Sequence, residues 1–181
     1  MNIVTTLNKK YIPYTSVMLI SAAINNNVHI DVFLLSSELD DADIKLMESA
    51  VKEYDMTLHL LKVDKNRFSE RLPIYENYWS IEVYYRFLLT EIMPENLERA
   101  LYLDGDIIVN KSIKDFYNMS FDGNDLIACA DKTCYTTKKQ NEMLAEAFNT
   151  GYRYFNSGVM LMNMDQIREM YDFQSYMDAV T

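Results

Sequence analysis

The stretch NIVTTLNKKYIPYTSVMLISAAINNNVHIDVFLL, residues 2–35, carries two different apolar rhythms in succession. Asn2 to Thr6 is short and β-branched and runs into the polar Asn8-Lys9-Lys10, the pattern of a buried strand ending in a loop. After Pro13, from Tyr14 to Asn26, Val17, Leu19, Ile20, Ala23 and Ile24 recur at helical spacing, and Asn25-Asn26-Asn27 ends the run. His29 to Leu35 reads as a second strand. Outward from this unit the alternation repeats. Ser37 precedes an amphipathic segment with Leu39, Ile44, Leu46, Met47 and Val51 apolar and acids in its first turn, and Thr57 to Val63 reads as a third strand. This β-α-β-α-β order predicts an α/β protein with a mostly parallel sheet covered by helices, because parallel neighbours need crossover connections.

Beyond a polar, irregular span from Lys65 to Tyr78, the pattern from Ser80 to Met93 is helical, with Ile81, Tyr84, Tyr85, Leu88, Leu89 and Ile92 as a broad apolar stripe that stops at Pro94. A fourth strand, Ala100 to Leu103, runs into Asp104-Gly105-Asp106 and then Ile107 to Val109. A short helix is expected from about Ser112 to Tyr117, a strand from about Asp125 to Ala130, and a helix from Thr136 to Phe148. Tyr154 to Asn163 is an apolar run interrupted by Asn156, Ser157 and Gly158. Asp165 to Thr181 reads as a helix with no Gly or Pro terminator, so the chain looks cut rather than finished.

The 181 residues are 49% apolar and carry 17 basic against 27 acidic side chains, a net charge of −10. That is one domain's worth of chain, with a charge that opposes non-specific nucleic-acid binding. No apolar run approaches the ~20 residues of a membrane span, and no basic, apolar and small-residue sequence marks a signal peptide, so a cytoplasmic protein without a transmembrane segment is expected. Cys129 and Cys134 lack C-x-x-C spacing and read as two free thiols. Gly105, Gly123, Gly151 and Gly158 are the only glycines, which excludes both the Walker loop and the G-x-G-x-x-G fingerprint.

The string Tyr102-Leu103-Asp104-Gly105-Asp106-Ile107-Ile108-Val109 places two carboxylates two residues apart where a strand ends, with a Gly between them that permits close approach. Such a pair is a hard-oxygen site for magnesium or manganese, which accept one or two protein carboxylates and complete their octahedron with phosphate oxygens and water. A polar D-G turn between two apolar strands is the alternative reading. Its position after the fourth strand of an α/β alternation favours the site, since ligands in such sheets bind beyond the carboxyl ends of the strands.

Four stretches together resemble the retaining nucleotide-sugar glycosyltransferases of family 8, which include bacterial lipopolysaccharide galactosyl- and glucosyltransferases and glycogenin. They are Ile3-Val4-Thr5-Thr6 with Asn8 and Tyr11, then Ser80 with Tyr84 and Arg86, then Tyr-Leu-Asp-Gly-Asp at 102–106, and Tyr154-Phe155-Asn156-Ser157-Gly158-Val159 leading to Asn163. The resemblance implies a GT-A-type fold, a UDP-sugar donor carrying glucose or galactose, a lipid-linked or protein-linked saccharide acceptor, and manganese or magnesium. It assigns Thr6, Asn8 and Tyr11 to uracil, with Tyr11 stacking; an isolated Tyr before a helix is otherwise a hydrophobic staple. Ser80 and Arg86 fall on the donor side, although a helical Arg86 would also pair with Glu82 at i−4. Asp104 and Asp106, with Gly105 between them, match the metal-binding acids. Asp131 matches an acid near the donor sugar, or is a solvated strand-end residue. Asn156, Ser157 and Gly158 match the segment lining that sugar, with Asn156 the foremost of the three. Tyr102 and Tyr154 are read as framing the core. The resemblance also implies transfer with retention, on one face of the sugar, with the leaving phosphate helping to deprotonate the acceptor.

The family's third metal ligand, a His, and its D-Q-type acceptor motif have no counterpart here; His29 and His59 lie well before the acidic pair and read as structural. The expectation is therefore a single nucleotide-sugar-binding domain over 1–181, incomplete at its C-terminal end, that binds donor, transfers poorly, and is prone to self-association through bared surface. Two other readings are a haloacid-dehalogenase-type phosphotransferase, whose D-x-D normally lies on the first strand, and a non-catalytic nucleotide-sugar-binding module.

Overall fold

A computed structural model describes residues 1–68, 72, 80–130 and 155–180. Asp131, Cys134, Tyr154 and the helix expected over 136–148 lie outside the described residues. Six strands, β1 (Asn2–Thr6), β2 (Ile30–Ser36), β3 (Met56–Lys62), β4 (Arg99–Leu103), β5 (Leu126–Ala130) and β6 (Phe155–Asn163), form one sheet in the order β3-β2-β1-β4-β6-β5. β1 runs parallel to β2 and β4, and β2 parallel to β3, whereas β6 is antiparallel to both of its neighbours. The parallel part is the one foreseen from the crossover argument.

Alternate residues of each strand divide between two apolar layers, as period-two geometry requires. Ile3, Val32, Leu34, Leu101 and Leu161 pack with α1 (Ile12–Asn25) and α2 (Asp41–Val51). Val4, Phe33, Leu35, Tyr102 and Met160 pack on the other face with the 3-10 segment Ile81–Leu88, with α3 (Leu89–Ile92), and with the C-terminal helices. A sheet covered on both faces explains why its strands read as continuous apolar runs. The short α4 (Lys114–Tyr117) contributes Phe116 and Tyr117 to the first layer.

The strand order positions the site. After β3 the chain crosses back to the far side of β1, so the loops leaving β1 and β4 diverge and open a crevice beyond their carboxyl ends. β6 runs the opposite way, with Val159 opposite Leu103, so its first residues lie beside the last residues of β4.

Three elements differ from the sequence expectation. α2 starts at Asp41 rather than after Ser37. Asp40 accepts from the Ala42 and Asp43 amides while Asp43 reaches back to the Asp40 amide, and the Ser36 hydroxyl holds the preceding Glu38 and Leu39 amides. The stripe from Ser80 to Met93 is wound as 3-10 over Ile81–Leu88 and as α only over Leu89–Ile92. β-branched Ile81 and Val83 and the aromatic Tyr84-Tyr85 favour an α-helix weakly, and the tighter winding aligns Glu82, Tyr85 and Leu88 on one buried edge. The C-terminal helix is two, α5 (Met164–Met170) and α6 (Phe173–Val180), because Tyr171 is extended and Asp172 accepts from the Ser175 amide and hydroxyl.

Both histidines are structural, as expected. His29 bonds Asp55 at 2.7 Å, and His59 bonds Asp31 at 2.9 Å while stacking on Phe33. The hydrogen bond to Asp55 raises His29 above its ordinary 6.5, and the bond from His59 lowers Asp31 below its ordinary 3.8. The His29 contribution is complete below pH 6.5 and is lost as pH rises through the raised value; the Asp31 contribution is present above 3.8 and is lost as pH falls through the lowered one. The loss of Tm in His29→Gln is therefore expected to be larger near ~pH 5.5 than near ~pH 8.5, within the small range of a solvent-screened pair. A pH-independent difference in thermal melts would show that the pair contributes nothing.

Candidate functional site

A cavity of about 570 Å³ occupies the crevice beyond β1 and β4. Four stretches of chain line it. After β1 come Thr6, Leu7, Asn8 and Tyr11; from the 3-10 segment come Ser80, Glu82, Val83 and Arg86; after β4 come Asp104, Gly105 and Asp106; and from β6 come Phe155 to Gly158. Every sequence-predicted site residue within the described part of the chain is thus brought to one cavity. Asp131 lies outside the described residues.

Asn8 caps a 3-10 turn over Lys9–Tyr11, its Oδ1 accepting from the Lys10 amide at 3.1 Å. Among the described residues no hydrogen bond engages its amide NH2. Tyr11 is 41% exposed, with its ring 5.7 Å from that of Tyr14, so it is presented to the cavity and not used as a buried staple. Gly105 sits beneath it. A Cβ on Gly105 would collide with the Thr15 hydroxyl, so the turn between the two acids can approach α1 this closely only with glycine there.

The Tyr102 hydroxyl is the hub of the site. It lies 2.9 Å from Asp104 Oδ1, 3.0 Å from Arg86 Nη2 and 3.1 Å from Thr6 Oγ1. Burial pushes this phenol well above its ordinary value, so it stays protonated. Its single proton goes to the carboxylate, and its two lone pairs accept from the guanidinium and the Thr6 hydroxyl. Arg86 also stands 4.3 Å over the Tyr102 ring, and it donates to the Ser157 carbonyl at 2.9 Å and the Val83 carbonyl at 2.8 Å. It does not pair with Glu82, because at three residues per turn positions i and i+4 point 120° apart. Tyr102 was read from sequence as core alone. It is 99% buried, but its spacing of two from Asp104 puts both on one side of the strand, and that was the available signal.

Asp104 is anchored at one oxygen while Asp106 is exposed two residues on. The Asp104 amide donates to the Gly158 carbonyl at 2.9 Å, and a Cβ on Gly158 would lie 2.5 Å from Asp104 Oδ2. Gly158 therefore clears the space that the second carboxylate oxygen needs. The residues fit a magnesium or manganese ion, since they offer two carboxylates from a partly buried turn, the donor set of a metal that keeps water and phosphate ligands. Among the described residues no group of three His, Cys, Asp or Glu could hold a metal ion by itself. Gly158→Ala is expected to displace Asp104 and weaken metal-dependent nucleotide binding by about 10-fold with little change in Tm, as read by calorimetry and thermal melts.

Asn156 Oδ1 accepts from the Gly158 amide at 2.8 Å and lies 3.0 Å from the position of a Gly158 Cβ. The pairing of β5 with β6 shifts between Ala128 and Ala130, so Asn156 and Ser157 leave the ladder and are exposed beside the acids. Part of the Asn156 side chain thus holds its own loop, and its NH2 remains for a ligand.

The fold is that of GT-A-type glycosyltransferase domains. The model of glycosyl transferase family 8 matches residues 2–180, and the chain belongs to that family. Similar proteins include a putative glycosyltransferase of Haemophilus influenzae, 29% identical over 175 residues, covering 96% of this chain and 52% of that protein. A lipopolysaccharide 1,2-glucosyltransferase of Escherichia coli is 28% identical, covering 72% of this chain and 38% of that protein. The galactosyltransferase LgtC, in complex with donor and acceptor sugar analogs, superimposes with a TM-score of 0.86 at 21% identity, covering the whole of this chain and 66% of that one. The chain spans about half, or less, of the length of these curated relatives. The acidic pair follows β4, not the first strand, and with the family match this removes the phosphotransferase reading. Among the described residues no helix is long and apolar enough to cross a membrane.

Proposed function

We propose that this chain binds a UDP-hexose, with glucose or galactose as the sugar, and supplies the donor site of a metal-dependent, retaining hexosyltransferase acting on a saccharide acceptor. The observation that carries the reading is the Tyr102 hydroxyl network, which fixes Asp104 and Arg86 side by side at the sheet's switch point. An arginine beside a pair of carboxylates two residues apart suits a diphosphate held both by a guanidinium and through a divalent ion. The names of the relatives, glucosyl- and galactosyltransferases, support the choice of sugar.

In this reading Tyr11 stacks on uracil, while the free amide of Asn8 and the Thr6 end of β1 supply polar contacts at its edge. Arg86 balances charge on the diphosphate, and Tyr102 keeps Asp104 turned toward the metal position. Manganese or magnesium held by Asp104 and Asp106 would act as a Lewis acid that neutralises charge on the departing UDP. Asn156 and Ser157 border the sugar, and Asp131 is assigned to the donor sugar by the family resemblance alone. The acceptor hydroxyl attacks the anomeric carbon on the face that UDP leaves, and its proton passes to a phosphate oxygen, so the configuration is retained. The cytoplasm is the proposed compartment, where a free exposed thiol such as Cys129 persists.

Calorimetric titration of UDP into the chain, with manganese and with chelator, tests the reading. Saturable binding that requires the metal, followed by binding of UDP-glucose or UDP-galactose, is the expected result. Absence of UDP binding in manganese would overturn it.

A further inference from the structure

Glu82 is the only charged residue among the described residues that is buried, at 9% exposure, and it lines the cavity. Among the described residues no hydrogen bond or ion pair reaches its carboxylate, and Oε2 is shut off from water without a partner. A carboxylate oxygen shut off from water is disfavoured unless a donor satisfies it, and among the described residues none does so for Oε2. Arg86, four residues on, is engaged by Val83, Ser157 and Tyr102. Glu82 lines the cavity, so a donor can arrive with whatever fills it.

The position of Glu82 narrows the kind of donor. It shares the buried edge of the 3-10 segment with Tyr85, whose hydroxyl donates to Ser37 just beyond β2. At about 2 Å of rise per residue, Glu82 lies ~8 Å along the segment from Arg86. Arg86 attends the acidic pair, where a diphosphate belongs, whereas a carboxylate repels phosphate. The part of a ligand that faces Glu82 is therefore neutral and donates hydrogen bonds. Rotation about the last side-chain bond exchanges the two oxygens, so either one can serve.

We propose that Glu82 recognises the nucleoside of the donor, its carboxylate accepting a hydrogen bond from an N–H of the base or a hydroxyl of the ribose. This rests on the nucleotide-sugar reading above. The test titrates UDP and inorganic pyrophosphate, each with manganese, into the full chain and into Glu82→Met and Glu82→Gln. Glu82→Met should bind UDP about 10- to 100-fold more weakly, with pyrophosphate affinity unchanged, and Glu82→Gln, which keeps one acceptor oxygen, should lose less. The Tm of ligand-free Glu82→Met should rise, because an unsatisfied buried carboxylate is gone; a purely structural role would lower it. N3-methyl-UDP, 2′-deoxy-UDP and 3′-deoxy-UDP separate base from ribose, since the analogue that lacks the donor should bind wild type and Glu82→Met alike. Equal UDP affinity in wild type and Glu82→Met, loss of pyrophosphate together with UDP, or analogue losses additive with the substitution in every case would each overturn the role of Glu82 alone. A wild-type chain that binds pyrophosphate but not UDP would overturn the nucleotide reading and this role with it.

Discussion

Replacing Asp104 and Asp106 together by alanine is expected to lower manganese-dependent UDP affinity by about 100-fold or more, leaving only the weak binding that also occurs with chelator. The two carboxylates are the hard-oxygen ligands the cavity offers at the end of β4, and the described residues hold no third acid, His or Cys close enough to replace them. Stability should change little by comparison. Asp106 is exposed, and Asp104 is half-exposed and shares its space with Arg86, whose guanidinium keeps its carbonyl and phenol partners when the acid is gone. A double variant that bound UDP as tightly as wild type in manganese would show that the acidic pair is only a turn.

Arg86→Ala is expected to act on both binding and fold. Its side chain is 14% exposed and joins the 3-10 segment to β4 through Tyr102 and to β6 through Ser157. Removing it takes away the cation of the site and leaves the Ser157 carbonyl without that donor, a loss of about 2–4 kcal/mol in nucleotide binding, or about 30- to 1000-fold. Arg86→Lys should recover only part of this, because an ammonium cannot reach the Val83 carbonyl, the Ser157 carbonyl and the Tyr102 hydroxyl at once as the planar fork does. Titration of UDP with manganese into both variants, beside thermal melts, reads the two effects separately. Equal affinities in alanine, lysine and wild type would remove Arg86 from the site.

The parallel half of the fold was legible because local signals agree there. β-branched runs, helical spacing in α1 and the acids opening α2 all point to the same alternation, and alternation with crossovers leaves few topologies. The place of the acidic pair in the crevice was legible for a related reason, since it follows a strand of a parallel sheet, beyond whose carboxyl ends ligands bind, although Asp104-Gly105-Asp106 by itself also suits a polar turn. The winding of residues 81–88 was not legible. An apolar stripe at three- and four-residue spacing suits both kinds of helix, and the choice followed from how Tyr84, Tyr85 and Leu88 pack against the sheet. The break at Tyr171 was equally hidden, because Asp172 and Ser175 cap a new helix in a stretch whose composition allows one continuous helix.

By itself the sequence determined the strand alternation, the acidic turn and the set of residues that resemble a nucleotide-sugar site. What only the tertiary structure decided is how these residues act on one another. The antiparallel return of β6 sets Gly158 against Asp104, the 3-10 winding turns Arg86 toward Tyr102 and away from Glu82, and one buried phenol joins Thr6, Arg86 and Asp104 across 96, 16 and 2 residues of chain. Contacts between residues distant in sequence are fixed by strand order and packing, which no local pattern encodes, and the unpartnered carboxylate of Glu82 becomes visible only when its surroundings are complete.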